Sequence, residues 1–545
     1  MENYPNFSTP YQLTIDKLLL RSKTWASENR IHYRDQYSYT YVEFNVRVHK
    51  LANVLESMGV TKGSTVAFMD WDSPRYLEAY FAVPMMGAIL HTINIRLSHE
   101  QLLYTINHAE DDVLVLHKDF VPMIEAISPN FETIKKIILI ADNTAVEKPK
   151  FHIDGEYEDL VNHAANNFIF PELDENTIAT TFYTTGTTGY PKGVFFTHRQ
   201  LVLHTMNTGM VLGSFANPFC INDMDVYMPL TPMFHVHAWG MPYLATMIGQ
   251  TQIYPGKYEP PVLLKLLLTN KVTFSHCVPT ILQMMLTNPA TKDINFNGWK
   301  IIIGGSALPK GLAQMAIERG ISITTGYGMS ETCPILTISH LKPEHLKLST
   351  GDLVDVITMT GFPVPMVDIQ IQGTDGSFLP PGKKNTGEII VRAPWLTPGY
   401  YKSNQTSEHL WRDGWLHTGD VAYRDEAGYI KITDRLKDVI KTGGEWVSSL
   451  ELESIISQCE EIAEVSVIGV PDEKWGERPI AFAVAKDDHK LTATSEACIL
   501  KLQKFIEAGI LEKWALPDKI IFVDQIPKTS VGKQDKKLLR ENYQA

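Results

Sequence analysis

The sequence predicts an α/β fold: a large N-terminal domain of layered α/β subdomains plus a small β-rich subdomain, followed by a mobile C-terminal α+β domain. Three observations predict it. Most of the chain alternates helical apolar patterns with short β-branched runs, the pattern of layers built on a largely parallel sheet. After about Thr350 the pattern becomes two-residue alternation broken by Gly-, Pro- and Asp-rich turns. A charged segment ending in Gly443-Gly444 then precedes a last stretch with its own helix–strand–helix pattern.

The elements follow in order. Ala52–Met58 and Glu78–Met86 read as helices, and Val113–Leu116 and Ile137–Ile140 as buried strands. In the β-rich part, Asp368–Gln372, Gly387–Arg392 and Tyr429–Thr433 read as strands. Beyond the charged segment, Leu450–Cys459 reads as helix, Ala463–Val470 as strand and Ile499–Ala508 as helix. The expected domains are therefore 1–433, with the β-rich subdomain at about 350–433, and 441–545. The segment 434–440 between them is charged rather than Gly/Ser-rich, which fits a hinge better than a loose tether.

Composition bounds the function. At roughly 100–200 residues per domain, 545 residues make three or four units, and 44% hydrophobic with 20% charged is ordinary for a globular chain. The formal charge is 49 − 62 = −13, so there is no global basic field for nucleic acid. The five cysteines are odd in number and show no C-x-x-C spacing, which fits a reducing compartment. Met1–Thr14 lacks the apolar core of a signal peptide. The longest apolar run, Tyr80–Leu90, is broken by Pro84 and is too short to span a bilayer. A cytoplasmic protein without a transmembrane segment is expected, with weak membrane association left open.

The main chemical signal is Tyr183-Thr-Thr-Gly-Thr-Thr-Gly-Tyr-Pro-Lys-Gly193, placed after a strand that ends near Phe182. Glycines let several backbone N–H groups converge on one anion. Thr184, Thr185, Thr187 and Thr188 add hydroxyl donors, and Lys192 adds a point charge. This suits a polyphosphate. It is not a Walker A loop, because no Gly-Lys-Ser/Thr follows the second glycine. A second strand end, Ile301–Ile303, is followed by Gly304-Gly-Ser-Ala307, where ligands of open α/β sheets collect. Phe234-His-Val-His237 would put two imidazoles on one face of a strand, a metal-binding spacing that no further Cys or His cluster supports.

The phosphate loop resembles the signature of the adenylate-forming (AMP-binding) superfamily. So do Gly326-Tyr-Gly-Met-Ser-Glu-Thr332, Leu416-His-Thr-Gly-Asp420, Asp434-Arg-Leu-Lys-Asp-Val-Ile-Lys-Thr-Gly443 and Pro527-Lys-Thr-Ser-Val-Gly-Lys533, in the family order. Tyr80–His91, Pro232–Trp239 and Gly443–Ser449 look most like bacterial medium- and long-chain fatty acyl-CoA synthetases.

The resemblance implies two steps. A fatty acid carboxylate and ATP give acyl-AMP and pyrophosphate, and coenzyme A then gives acyl-CoA and AMP. Thr184, Thr185, Gly186, Thr187, Thr188, Gly189 and Lys192 would hold phosphates. Glu331 and Thr184 would ligate Mg²⁺, which prefers oxygen donors. Tyr327 would stack on adenine, with Gly305, Ser306, Ala307, Thr325, Gly326, Gly328 and Ser330 bordering the nucleotide and acyl carbonyl. Asp420 and Arg435 would bind the ribose. Lys533 would serve adenylation and Lys441 the thioester step, Trp446 would contact coenzyme A and nucleotide, and Lys437 would mark the hinge and touch nucleotide. His235 would lie beside the acyl carbonyl, with Val236 and Trp239 lining the acyl site and Trp239 gating it. Cys277–Leu282 reads either as pocket lining or as core. Related synthetases are often homodimers. Another acid, a carrier-protein acceptor, or a non-catalytic nucleotide-binding regulator are the alternatives.

Overall fold

The computed structural model describes residues 9–142, 144, 147–184, 190–214, 219–443, 445–486, 494–508, 511–528 and 534–544. The chain forms two compact units. The first comprises Met1–Thr358, Pro363–Val367 and Arg392–Trp411; the second comprises Met359–Phe362, Asp368–Val391 and Arg412–Ala545.

The first unit contains two large sheets. One runs in the order Gly155–Glu156, Lys136–Ile140, Val113–His117, Thr65–Met69, Ile89–Thr92, Ile178–Thr184, Lys192–Thr197. Its strands are parallel until the last pair, which is an antiparallel hairpin. In the other, Ser322–Gly328, Lys300–Ile303, Phe274–Cys277 and Val226–Leu230 run parallel side by side. Lys300–Ile303 and Phe274–Cys277 are buried along their length, and Ile301–Ile303 accordingly reads as a continuous β-branched run rather than an alternating one. The apolar core beneath them includes Cys277, Leu282, Met285, Trp299, Ile301 and Ile303. Of the two readings of Cys277–Leu282, the structure gives core packing to both end residues.

The helices start where side chains satisfy their first N–H groups. Thr40 with Glu43 caps Tyr41–Ser57, Ser98 with Gln101 caps His99–Ala109, and Thr197 with Gln200 caps His198–Gly213, each as a reciprocal capping box. Pro84 lies one residue from the end of Pro74–Met85, so the helix contains it. No described helix is long and apolar enough to cross a membrane.

Beside the first sheet lies a buried ionic network. The Arg75 side chain, 1% exposed, pairs with Asp142 at 2.7 Å and Glu158 at 2.8 Å. Arg47 pairs with Glu78 at 2.6 Å and with the same Glu158 at 2.9 Å. Tyr39 and Tyr157 each donate a 2.7 Å hydrogen bond to Glu78, which is fully buried.

The second unit holds Asp368–Gln372, Gly387–Arg392, Trp415–Arg424 and Ile430–Arg435 as neighbouring strands. A further sheet is dominated by the antiparallel pair Ile462–Asp472 and Gly476–Ala485, covered by helices Ser449–Ile456 and Ser495–Glu507. The expected helix over Leu450–Cys459 stops at Ile456, because the chain turns there and Cys459 accepts from Ile462 as the next strand begins.

Candidate active site

Parallel register puts the candidate residues on one edge. Leu230 aligns with Cys277, Cys277 with Ile303, and Ile303 with Thr325. The segments that follow three of these strands, 231–239, 304–307 and 326–331, therefore leave the sheet side by side at its carboxyl end, the usual place for ligands in such sheets. Gly305, Ser306 and Ala307 are exposed there, while Gly326, Tyr327, Gly328 and Ser330 are half-buried. A register shift at Tyr327/Gly328 bends the strand where it pairs with Ile335–Ile338. Only glycine fits at position 328: a Cβ would lie 1.8 Å from the Pro334 carbonyl oxygen. Thr325 is buried and donates its hydroxyl to the Ile357 carbonyl at 2.8 Å.

Thr184 and Lys192 are cross-strand partners at the mouth of the hairpin and are both half-buried. Thr185, Gly186, Thr187, Thr188 and Gly189 lie outside the described residues. Glu331 is buried in the turn Ser330–Thr332. Its Oε1 accepts a 2.7 Å hydrogen bond from the Tyr400 hydroxyl, and its backbone carbonyl accepts from the Thr397 N–H at 2.9 Å. The Lys192 ammonium sits 4.9 Å from the centre of the same Tyr400 ring. Burial first, and then the neighbouring Glu331 carboxylate, raise the Tyr400 phenol far above its ordinary range, so it remains a donor. Sequence reading missed Tyr400. It stands in Pro398-Gly399-Tyr400-Tyr401, which reads locally as a turn.

The segment 232–239 is held from several sides. Asp72 accepts from the Met233 N–H at 2.8 Å, Tyr80 donates to the Met233 carbonyl, and Thr92 donates to the Phe234 carbonyl at 3.0 Å. The expectation of a strand at His235–His237 is corrected. Val236, His237, Ala238 and Trp239 have φ of 48°, 53°, 47° and 59°, a left-handed turn. The two imidazoles therefore do not share a strand face. His235 is half-buried. His237 is fully buried among Tyr80, Phe182 and Tyr243, neither ring nitrogen has a partner among the described residues, and burial lowers its pKa to about 3. The Trp239 indole covers Gly304, where a Cβ would meet it at 3.0 Å.

Asp72 carries a pH prediction. Burial pushes its carboxyl up to about 7, with Asp70 adding to the shift and hydrogen bonds from Tyr258 and Met233 and the charge of Arg96 opposing it. The folded chain thus keeps a proton that the unfolded chain releases near the ordinary value of 3.8. This group's contribution to stability is complete below that value and is lost as pH rises to about 7, at up to about 1.4 kcal/mol per pH unit. Asp72→Asn should lose less stability than the parent between about pH 5 and about pH 8, measured by denaturant midpoints. Equal losses would show that the buried carboxyl is not the source.

In the second unit Asp420 and Arg435 face each other across paired strands, with Arg435 Nε 3.1 Å from Asp420 Oδ1. Asp420 is buried and Arg435 exposed. Lys437 and Lys441 are exposed. The backbone of Trp446 pairs with Lys441, while its side chain, like Lys533, lies outside the described residues.

The profile of the AMP-binding enzyme family matches residues 21–401, and that of the AMP-binding enzyme C-terminal domain matches residues 451–533. A long-chain-fatty-acid–CoA ligase of Thermus thermophilus is 37% identical over 522 residues, 94% of this chain and 92% of that protein. A medium-chain-fatty-acid–CoA ligase of Ectopseudomonas oleovorans is 36% identical over 504 residues, 92% of this chain and 90% of that protein. Among solved structures, a Mycobacterium tuberculosis fatty acyl CoA synthetase matches with a TM-score of 0.72 and 26% identity, covering 97% of this chain and 98% of that one.

Proposed function

We infer the substrate of this chain from its kinship: the chain belongs to the AMP-binding enzyme family and is an AMP-forming acid–thiol ligase that uses ATP and coenzyme A. Its acid is a medium- or long-chain fatty acid. The observation that carries the nucleotide half of this reading is the meeting of Lys192, Tyr400 and Glu331 beside the strand ends. The likeness to two fatty-acid–CoA ligases supports the acyl half.

The carboxylate attacks the α-phosphorus of ATP, and pyrophosphate leaves. The coenzyme A thiolate then attacks the acyl carbonyl, and AMP leaves. In the first step two anions approach, so oriented donors and cations decide the rate. Residues 184–189 and Lys192 hold the β- and γ-phosphates. Tyr327 stacks on adenine, and Gly305–Ala307 border it. Asp420 accepts from the ribose hydroxyls with Arg435 beside it. His235 adjoins the acyl carbonyl, and Val236 and Trp239 line the way in. The oxygen donors of Glu331 and Thr184 fit Mg²⁺, which takes few protein ligands. Mg²⁺ bound there would neutralise charge on the departing pyrophosphate. Residues 441–545 turn about 434–440, so that Lys533 serves the first step and Lys441 the second, with Trp446 contacting coenzyme A and nucleotide. A homodimer in the cytoplasm completes the reading, in keeping with five free cysteines.

The test is an acyl panel from acetate to oleate with benzoate, following AMP and pyrophosphate release. The kcat/KM should peak at a medium or long chain, at least about tenfold above acetate and benzoate, since each buried methylene contributes about 0.8 kcal/mol. A maximum at benzoate or acetate would replace the fatty acid with an aryl or short-chain acid. Acyl-AMP formation without transfer to coenzyme A would favour a carrier-protein acceptor, and no turnover on any acid a nucleotide-binding regulator.

A further inference from the structure

We propose that Tyr400 is the positioning residue that keeps Glu331 and Lys192 apart from each other and available to ATP and its metal. The inference rests on the metal- and phosphate-binding reading of those two side chains.

The difficulty it resolves is electrostatic. A site for a metal polyphosphate needs a carboxylate for the cation and an ammonium for the anion. Placed together, the two attract, and an ion pair would satisfy each at the expense of the ligand. Tyr400 touches both. Its hydroxyl donates to Glu331 Oε1 at 2.7 Å, while its ring faces the Lys192 ammonium at 4.9 Å. Among the described residues Lys192 has no carboxylate within ion-pair distance. Both charged groups thus rest on a neutral partner. A ring quadrupole holds an ammonium without cancelling its charge. One hydrogen bond to one oxygen orients the carboxylate and leaves Oε2 for a metal.

Tyr400 is itself fixed. Its backbone bridges to Val194, its N–H donates to Ser407 Oγ at 2.8 Å, and the next N–H donates to the Gly193 carbonyl at 2.8 Å. The Thr397 N–H holds the Glu331 carbonyl. One strap, Trp395–Tyr401, therefore ties the turn carrying Glu331 to the strand carrying Lys192. The Trp395 indole N–H donates to the Ile335 carbonyl at 3.3 Å, and the Thr397 hydroxyl to the Phe195 carbonyl at 3.0 Å.

The full-length chain with Tyr400→Phe keeps the ring and loses the donor; Tyr400→Leu loses both. Tyr400→Phe should raise the Mg²⁺ concentration for half-maximal acyl-AMP formation about tenfold and weaken Mn²⁺ binding, read by electron paramagnetic resonance with ATP present, by a similar factor. Tyr400→Leu should in addition raise the KM for ATP about tenfold. Thioester formation from supplied acyl-AMP should stay near the parent in both, which also reports that they fold. Parental Mg²⁺ and Mn²⁺ behaviour in Tyr400→Phe, or equal loss of both half-reactions, overturns the proposal. Glu331→Gln separates the failures. If it too behaves as the parent, the metal reading falls and this inference with it. If it is impaired while Tyr400→Phe is parental, this inference falls alone.

Discussion

Replacing Lys533 by Ala should lower acyl-AMP formation about 10²–10³-fold, the scale of removing one oriented electrostatic group from a transition state, while thioester formation from supplied acyl-AMP survives. The first half-reaction brings a carboxylate onto a phosphate, and one ammonium bridging both stabilises charge as the bond forms. Other lysines nearby cannot substitute easily. Lys528 pairs with Glu464 at 3.2 Å, Lys536 with Glu453 at 2.7 Å, and Lys537 with Glu541 at 3.7 Å. The measurements are pyrophosphate release with the fatty acid and acyl transfer from acyl-AMP. If the two fall together, the division of labour between lysines is wrong.

Lys441→Ala should show the reverse: a loss of about 10–10² in transfer to coenzyme A, the range for one hydrogen bond to a charged group, with adenylation retained. The substitution is clean because the backbone of this strand is held independently of the side chain. The Lys441 N–H donates to Glu477 Oε2 at 2.8 Å, and Thr442 is paired in the ladder with Glu445 and Gly476. An unchanged rate of coenzyme A acylation would remove Lys441 from the second step.

What could be read in the sequence was local. The strands at 113–117 and 136–140 announce themselves because both faces are buried and the apolar run is unbroken. Asp420 and Arg435 sit in short motifs, and the strand end before Gly304 is visible from Ile301–Ile303. What escaped depends on distance along the chain. Tyr400 meets Glu331 across 69 positions, and Asp72 meets Met233 across 161. No periodicity carries such information. The left-handed turn at Val236–Trp239 escaped for another reason. It contains no Gly or Asn to signal positive φ, and surrounding hydrogen bonds rather than local propensity hold it.

The ionic network of Arg47, Arg75, Glu78, Asp142 and Glu158 bears on how this protein can change over generations. Each arginine holds two carboxylates, so losing one carboxylate leaves its arginine a partner, but losing Arg47 leaves the fully buried Glu78 with only the Tyr39 and Tyr157 hydroxyls. Such a loss costs about 3–5 kcal/mol, against a total of about 5–15 kcal/mol for a typical fold. A lineage that lost Arg47 before Glu78 would pass through a barely folded ancestor. Arg47 and Glu78 should therefore be exchanged in concert, whereas loss of Glu158 still leaves Arg47 on Glu78 and Arg75 on Asp142.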